Sequence, residues 1–355
     1  YGLPAKVAIG LAASVVMAII VVGNILVCIA VATERKLRHP QNWLLVSLAA
    51  SDLLVGSLIM PLSLAHELMG YWAFGPVWCE IWLAMDVFAC TASIFNLCLI
   101  ALERYRCVVN PTAYRSPTIN RRQGILIAGA YIIAAAISLP PLFGWAEPRA
   151  QDGALPMCPL HKSIGYVAFS ATASFYIPLL VMVTAYICLI VATRAHLRKK
   201  ISKRPSGEPL PQPKPVSEMK KVDDGYIHLR VMRSTATVTG SRRPTLQRIG
   251  TKMELQFDRN RKGAPGLSPR QERLKILQSR ERRFTLIIGL VMGAFIVCWY
   301  PFFQLYPIVV ACESCNVPEI VFKFFFWIGY CNSAVNPIIY TIFNKDFRGA
   351  FLRII

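Results

Sequence analysis

Three stretches of this chain stay uncharged for longer than a soluble fold tolerates: residues 7–33 (27 residues), 163–193 (31 residues) and 284–312 (29 residues) hold no Asp, Glu, Lys or Arg. A helix rises about 1.5 Å per residue, so about 20 apolar residues cross the roughly 30 Å of bilayer hydrocarbon. Each run exceeds that. Four further segments serve as weaker spans: 42–65 with one acid, Asp52; 81–102 with one acid, Asp86; 124–145; and 324–344. The pattern predicts an all-α membrane protein with seven transmembrane helices.

Composition closes the alternatives. Only 16% of the 355 residues are charged and 55% are hydrophobic, against about 25% charged in globular chains. That excludes two soluble domains as well as fibrous and disordered classes. The excess of 39 basic over 19 acidic residues sits in clusters beside the spans. Once the spans are drawn, 35 basic residues fall on one side and four (Lys6, Arg149, Lys162 and Lys323) on the other. The positive-inside rule then places the N-terminus outside and the C-terminus inside. No nucleic-acid module accompanies the cations, so no nucleic-acid partner is expected. Nothing before Val7 reads as a signal peptide, and the natural chain is expected to start before Tyr1 and to continue past Ile355.

The spans divide the chain into 1–193 with five helices, a basic loop 194–283, 284–343 with two more helices, and 344–355 as a short amphipathic helix on the membrane surface. The loop holds 24 basic and 8 acidic residues and five prolines between positions 205 and 215. Its middle is expected to be disordered. Its two ends, 195–202 and 271–283, carry helix formers that extend the fifth and sixth spans. Arg242-Arg243-Pro244-Thr245 and Arg282-Arg283-Phe284-Thr285 fit basophilic kinase sites, and a plain solvated loop fits as well.

Four cysteines lie outside in this topology: Cys79, Cys158, Cys312 and Cys315. An even number in an oxidising compartment points to disulfides. Cys312–Cys315 with Cys79–Cys158 is the economical pairing, although the Cys-x-x-Cys spacing also matches half a zinc site.

Ionisable groups within a span are costly and mark function. Asp86 lies near the outer mouth, with no Lys or Arg at matching depth in another span, so it reads as a site for an external cation. An Asp satisfied by internal hydrogen bonds is the competing reading. Asp52 is deeper and shares its level with Asn24, Ser93, Asn332, Ser333 and Asn336, a group able to hold structural waters or one sodium ion through oxygen ligands. Arg104 lies 18 residues after Asp86, about 27 Å along one helix, and so reaches the inner rim. Glu281 starts the sixth span at similar depth, where an Arg104–Glu281 pair would clamp two helices in a resting state. Trp299, Phe302, Phe303 and Tyr306 follow i, i+3, i+4, i+7 on one helical face, with Pro301 as a kink. Trp327 and Tyr330 (i, i+3) and Ser170 and Ser174 (i, i+4) share faces of their own helices. These groups outline a pocket for an aromatic cation, held by ion pairing, cation–π contact and hydroxyl hydrogen bonds.

Together these residues resemble a rhodopsin-like (class A) G-protein-coupled receptor of the biogenic-amine group, over nearly the whole chain except the 194–283 loop. The matching motifs are Gly23-Asn24, Leu48-Ala49-Ala50-Ser51-Asp52, Cys79 with Asp86, and Glu103-Arg104-Tyr105. Further on they are Pro178 with Tyr186, Cys298-Trp299-Tyr300-Pro301-Phe302-Phe303, and Asn336-Pro337-Ile338-Ile339-Tyr340. The resemblance implies that Asp86 is the amine counter-ion, that Ser170 and Ser174 meet a catechol or phenol ring, and that Trp299 lies beneath the ligand. It implies that Val87, Cys90, Phe302, Phe303, Tyr306, Phe326 and Tyr330 complete the ligand site. Asp52, Ser93, Asn332 and Asn336 would form an allosteric sodium site, with no other metal or cofactor. Ile94, Pro178 and Phe295 would repack on activation, while Glu103, Arg104, Glu281, Tyr186 and Tyr340 rearrange at the inner end. Two departures stand out: Tyr131 occupies a position where the family carries tryptophan, and Ala171 leaves a gap between the serines.

The segments 66–72 and 322–333 look most like alpha-2-type adrenergic receptors, Tyr306 leans adrenergic or octopaminergic, and 91–98 is similar to inhibitory dopamine receptors. Serotonin receptors typically carry alanine where Ser174 stands. The implied partners are a small monoamine, a heterotrimeric G protein of the inhibitory Gi/o class, arrestin, receptor kinases and membrane lipids, at the plasma membrane. No nucleophile–base pair, metal cluster or phosphate loop marks an enzyme. A retinal protein would need a lysine where Tyr330 stands, and a transporter would show paired repeats or broken helices.

Overall fold

The computed structural model describes residues 2–110, 118–145, 155–202, 269–312 and 314–355, with backbone alone for 196–202 and 269–284. Residues 1–200 and 277–355 form one compact unit; 201–276 form another, described as helical backbone at 201–202 and 269–276. The helices are α1 (Leu3–Thr33), α2 (Asn42–Leu54, continued by Val55–Ile59 and Met60–Met69), α3 (Pro76–Val109) and α4 (Ile119–Ser138). There follow α5 (Ile164–Ala171, Thr172–Tyr176 and Ile177–Ser202), α6 (Pro269–Ala311), α7 (Glu319–Phe343) and α8 (Lys345–Ile354).

The side chains are distributed inside out. Asn24, Asp52, Asp86, Ser93, Asn96, Asn332, Ser333 and Asn336 are buried, whereas Leu11, Val15, Ile132, Leu180, Val191 and Val297 are exposed. A soluble protein does not present such an apolar exterior around a polar interior; a lipid-facing bundle does. Among the described residues, α1, α2, α3, α5 and the 285–311 part of α6 have both the length and the hydropathy to cross a membrane. α4 and α7 fall short by composition, α4 with Arg121 and Arg122 at its start and α7 with Asn332, Ser333 and Asn336 along its length. Both nevertheless pack into the same bundle, α4 on α3 and α7 on α1.

α4 stops at Ser138, short of the 124–145 span expected from hydropathy, and a tight turn at Pro140–Phe143 follows. Pro140 and Pro141 remove two successive N–H donors, so the ladder ends there.

Two wide turns were not anticipated. In α2, Met60 N–H reaches back to Val55, and in α5 Ile177 N–H reaches back to Thr172, each closing a five-residue turn. Each is followed within two residues by a proline, Pro61 or Pro178, whose ring would collide with the carbonyl four residues earlier. The added residue relieves that collision, as such bulges commonly do near functional sites. Trp82 Nε1 and Ser63 Oγ both donate to the Ile59 carbonyl in this region.

α8 is short and strongly amphipathic. Asn344 Oδ1 accepts from Asp346 N–H at its start, Phe347, Ala350 and Phe351 are buried, and Arg353 pairs with Glu34 at 2.6 Å.

Candidate ligand-binding site

Disulfides build the roof. Cys79 at the top of α3 is joined to Cys158, and Cys312 to Cys315. The segment carrying Cys158 is held twice more: Trp72 N–H donates to the Pro156 carbonyl at 2.7 Å, and Tyr306 Oη donates to the His161 carbonyl at 2.6 Å. Trp72 is itself fixed, 2% exposed, with Nε1 bonded to the Gly75 carbonyl and its ring 5.1 Å from Trp82. Leu160 and His161 are thereby set over a cavity between α3, α5, α6 and α7.

Asp86 is the acid of this cavity. Its Oδ1 accepts from Tyr330 Oη at 3.0 Å and from Cys90 Sγ at 3.6 Å. No hydrogen bond reaches Oδ2, and no Lys or Arg pairs with the carboxylate, among the described residues. The opposite wall is aromatic: Phe302 stacks with Tyr306 at 5.4 Å, and Trp299 lies 6.1 Å from Phe302 and 5.7 Å from Phe303. Phe326 contacts Tyr330 edge to face at 4.9 Å. A cation seated beside Oδ2 would thus meet one formal charge and several ring faces.

On α5, Ser174 Oγ donates to the Ser170 carbonyl and Ser170 Oγ to that of Val167. The wide turn Thr172–Tyr176 breaks the simple i, i+4 relation between them, yet both line the cavity. Their oxygens retain acceptor lone pairs for a phenol. The cavity is contracted, at about 60 Å³, whereas small-molecule pockets run to about 300 Å³ or more.

Of the residues expected here, Asp86, Val87, Cys90, Ser170, Ser174, Trp299, Phe302, Phe303, Tyr306 and Phe326 line the cavity, and Tyr330 reaches it through Asp86. Ile94, expected to act only in transmission, also lines it. Leu83, Thr91, Leu160, His161 and Tyr166 line it without having been expected. For Leu160 and His161 the signal was Cys158 two and three positions earlier: a disulfide to the top of α3 draws its neighbours over the bundle.

Beneath the cavity, Gly329 makes room for Trp299. A Cβ at 329 would lie 2.7 Å from Trp299 Cζ3. Phe295, 0% exposed, lies 5.7 Å from Phe175, and the Pro178 carbonyl accepts from Cys98 Sγ.

Deeper still, Asp52 accepts from three neutral donors. Ser93 and Ser333 donate to Oδ1 at 2.9 and 2.8 Å, and Asn336 donates to Oδ2 at 2.8 Å. Asn24 donates to the Ser333 carbonyl, tying α1 into the group. Buried Asn332 Oδ1 and Asn336 Oδ1 have no hydrogen-bond partner.

At the inner end Glu103 is 2% exposed and accepts from Arg122, Arg106 and Gln123. Arg104 Nη1 donates to Gln41 Oε1 at 2.7 Å. The Glu281 side chain lies outside the described residues, and so does the Arg104–Glu281 clamp. Arg104, Tyr340 and Met292 border a small cavity there, Tyr340 stacks on Phe347, and Tyr186 lies against Gly289. Tyr131, in the place of the family's tryptophan, donates to the Ser47 carbonyl at 3.0 Å.

A polytopic helical bundle with an aromatic, acid-bearing cavity beneath a disulfide-pinned roof defines a membrane receptor. Residues 23–340 match the model of the 7 transmembrane receptor (rhodopsin family). The chain belongs to that family, and α1 to α7 are its seven transmembrane helices. It is similar to the Alpha-2A adrenergic receptor of Danio rerio, with 39% identity over 99% of this chain and 92% of the relative. It is also similar to the Alpha-2B adrenergic receptor of Mus musculus, at 36% over 100% and 96%, and to the Alpha-2 adrenergic receptor of Labrus ossifagus, at 36% over 100% and 92%.

Proposed function

We propose that this receptor recognises a biogenic monoamine of the adrenergic or octopamine type and, on binding it, activates a heterotrimeric G protein of the inhibitory class. The single observation that carries the reading is the Asp86 carboxylate: buried, reached by a tyrosine hydroxyl and a thiol but by no described cation, and faced by aromatic rings. The ammonium pairs with Asp86, the ring lies between Phe302, Phe303 and Trp299, and ring hydroxyls meet Ser170 and Ser174. The similarity to receptors named adrenergic supports the same choice.

The N-terminal end faces the outside at the plasma membrane, in accord with the distribution of basic residues. Sodium fits the Asp52 group: a carboxylate, two serine hydroxyls and two asparagine carbonyl oxygens without donors supply hard oxygen ligands. A bound ion there would hold α2, α3 and α7 together. Activation repacks Ile94, Pro178 and Phe295 and releases Arg104, with Glu103, Glu281, Tyr186 and Tyr340 rearranging as α6 moves. Arrestin and receptor kinases follow as partners of the same inner face.

The test is a panel of noradrenaline, octopamine, tyramine, dopamine and serotonin scored by inhibition of cAMP in cells expressing this chain. The expected result is sub-micromolar inhibition by a hydroxylated phenethylamine, abolished in Asp86→Asn at equal surface expression. Responses that survive in Asp86→Asn would overturn the reading.

A further inference from the structure

Gln41 opens α2 without serving it. It occupies the position that caps the helix, yet its side chain makes no capping bond. Its backbone is set by the turn around it, where Asn42 N–H donates to the His39 carbonyl at 2.9 Å and Trp43 N–H to the Pro40 carbonyl at 3.2 Å. Pro40 fixes one dihedral of that turn, and Asn42 Nδ2 adds a bond to the Leu37 carbonyl at 2.7 Å. A glutamine whose backbone is held this firmly keeps its amide for a neighbouring helix.

That helix is α3. Both ends of the amide are used there, in opposite senses: Oε1 accepts from Arg104 Nη1 at 2.7 Å, and Nε2 donates to Cys107 Sγ at 3.3 Å. Arg104 and Cys107 are i, i+3, so they lie one above the other on one face of α3. The thiol fixes which way the amide points. With Nε2 on the sulfur, the carbonyl oxygen is turned to the guanidinium, and a bond from a cation is charge-assisted and stronger than a neutral pair. The preceding acid is engaged on another side: Glu103 accepts from Arg106 on its own helix and from Arg122 and Gln123 on α4. Adjacent residues of α3 are thus tied to different helices, Glu103 to α4 and Arg104 to α2.

Arg104 also borders a cavity of about 40 Å³, with Met292 of α6 and Tyr340 of α7 on its far walls. No protein segment fits into that volume. For a partner to enter between α3 and α6 and meet the guanidinium, the cavity must widen and the Gln41 bond must break.

We infer that Gln41 is a positioning residue for Arg104: it holds the guanidinium on α2 in the resting bundle and so sets how often the receptor activates without ligand. The activating role of Arg104 rests on the reading above; the contact with Gln41 does not. An interaction present in one state alone shifts the population toward that state by its own free energy. Its loss therefore raises basal activity, and a stronger version lowers it.

The experiment uses the full chain in phosphatidylcholine nanodiscs, without amine, and two readouts. One is guanine-nucleotide exchange on an added heterotrimer of the inhibitory class; the other is deuterium uptake by the backbone amides of 285–293 on α6 with no G protein present. Gln41→Leu keeps the volume and removes the acceptor, so exchange and uptake should both rise about threefold to tenfold. Gln41→Glu keeps the reach and sets a carboxylate against the guanidinium, so both should fall about threefold. A merely structural role would move the two variants the same way, and poor folding would depress exchange in both. Variants that shift in the same direction, or that leave the uptake or a measurable exchange unaltered, overturn the assignment. Opposite shifts in uptake, with no exchange on any class of heterotrimer even in the unmodified receptor, keep Gln41 as the tether of Arg104 and sink the G-protein reading alone.

Discussion

Tyr330 Oη on α7 donates to Asp86 Oδ1 on α3 across 3.0 Å, so a neutral hydroxyl, with no cation among the described residues pairing there, orients the buried carboxylate. Tyr330→Phe removes that donor. Hydrogen bonds to charged groups contribute about 1.5–3 kcal/mol, so amine affinity should fall by roughly tenfold or more in saturation binding, with less effect on surface expression. Asp86→Asn should cost more, because it removes the charge itself, about 2–5 kcal/mol for a buried pair.

The Tyr306–His161 hydrogen bond closes the roof. A typical bond of about 0.5–1.5 kcal/mol corresponds to a threefold to tenfold rate effect, so Tyr306→Phe should accelerate ligand dissociation by about that factor. Competition-initiated dissociation kinetics measure this directly, and an unchanged off-rate would remove the roof from the binding barrier.

Ser174→Ala should weaken phenolic amines by about tenfold and leave non-hydroxylated phenethylamines nearly unaffected, since in the proposed binding mode only the former reach the serine. Paired competition curves for tyramine and phenethylamine decide it: equal losses would assign Ser174 to α5 structure alone.

Replacing sodium by N-methylglucamine at constant ionic strength should raise agonist affinity about threefold to tenfold if the ion holds the inactive packing around Asp52. Asp52→Asn should abolish that sensitivity. A receptor indifferent to sodium in binding assays would leave the group as a water network.

Gly329→Ala would push a methyl against Trp299. Overpacking costs about 1–3 kcal/mol, so the thermal midpoint should drop while basal nucleotide exchange changes, because the ring that moves lies directly beneath the ligand cavity. The Gly329→Ser variant should act in the same direction and more strongly.

Much of the molecule was legible in the sequence because membranes impose a coarse code. Uncharged length marks a span, and an acid inside hydrocarbon demands an explanation. Asp86 could be placed near the outer mouth, and Trp299, Phe302 and Tyr306 on one helical face, by counting turns. α4 was overextended because hydropathy cannot see that Pro140 and Pro141 end a ladder. The wide turns at Val55–Ile59 and Thr172–Tyr176 were missed, although Pro61 and Pro178 were there to be read.

What the amino-acid order determined alone is therefore the number of spans, the buried acids and the faces of individual helices, since these depend on local periodicity and solvation. Tertiary structure decided which hydroxyl meets which carboxylate, that Leu160 and His161 roof the cavity, that Glu103 is held by Arg122 and Gln123 of α4, and that Gly23 of α1 meets Pro337 of α7. Those relations join residues distant along the chain. They depend on how far apart two packed helices stand, and that distance follows from the sum of side-chain volumes across the interface, such as Gly23 against Pro337, which no single segment encodes.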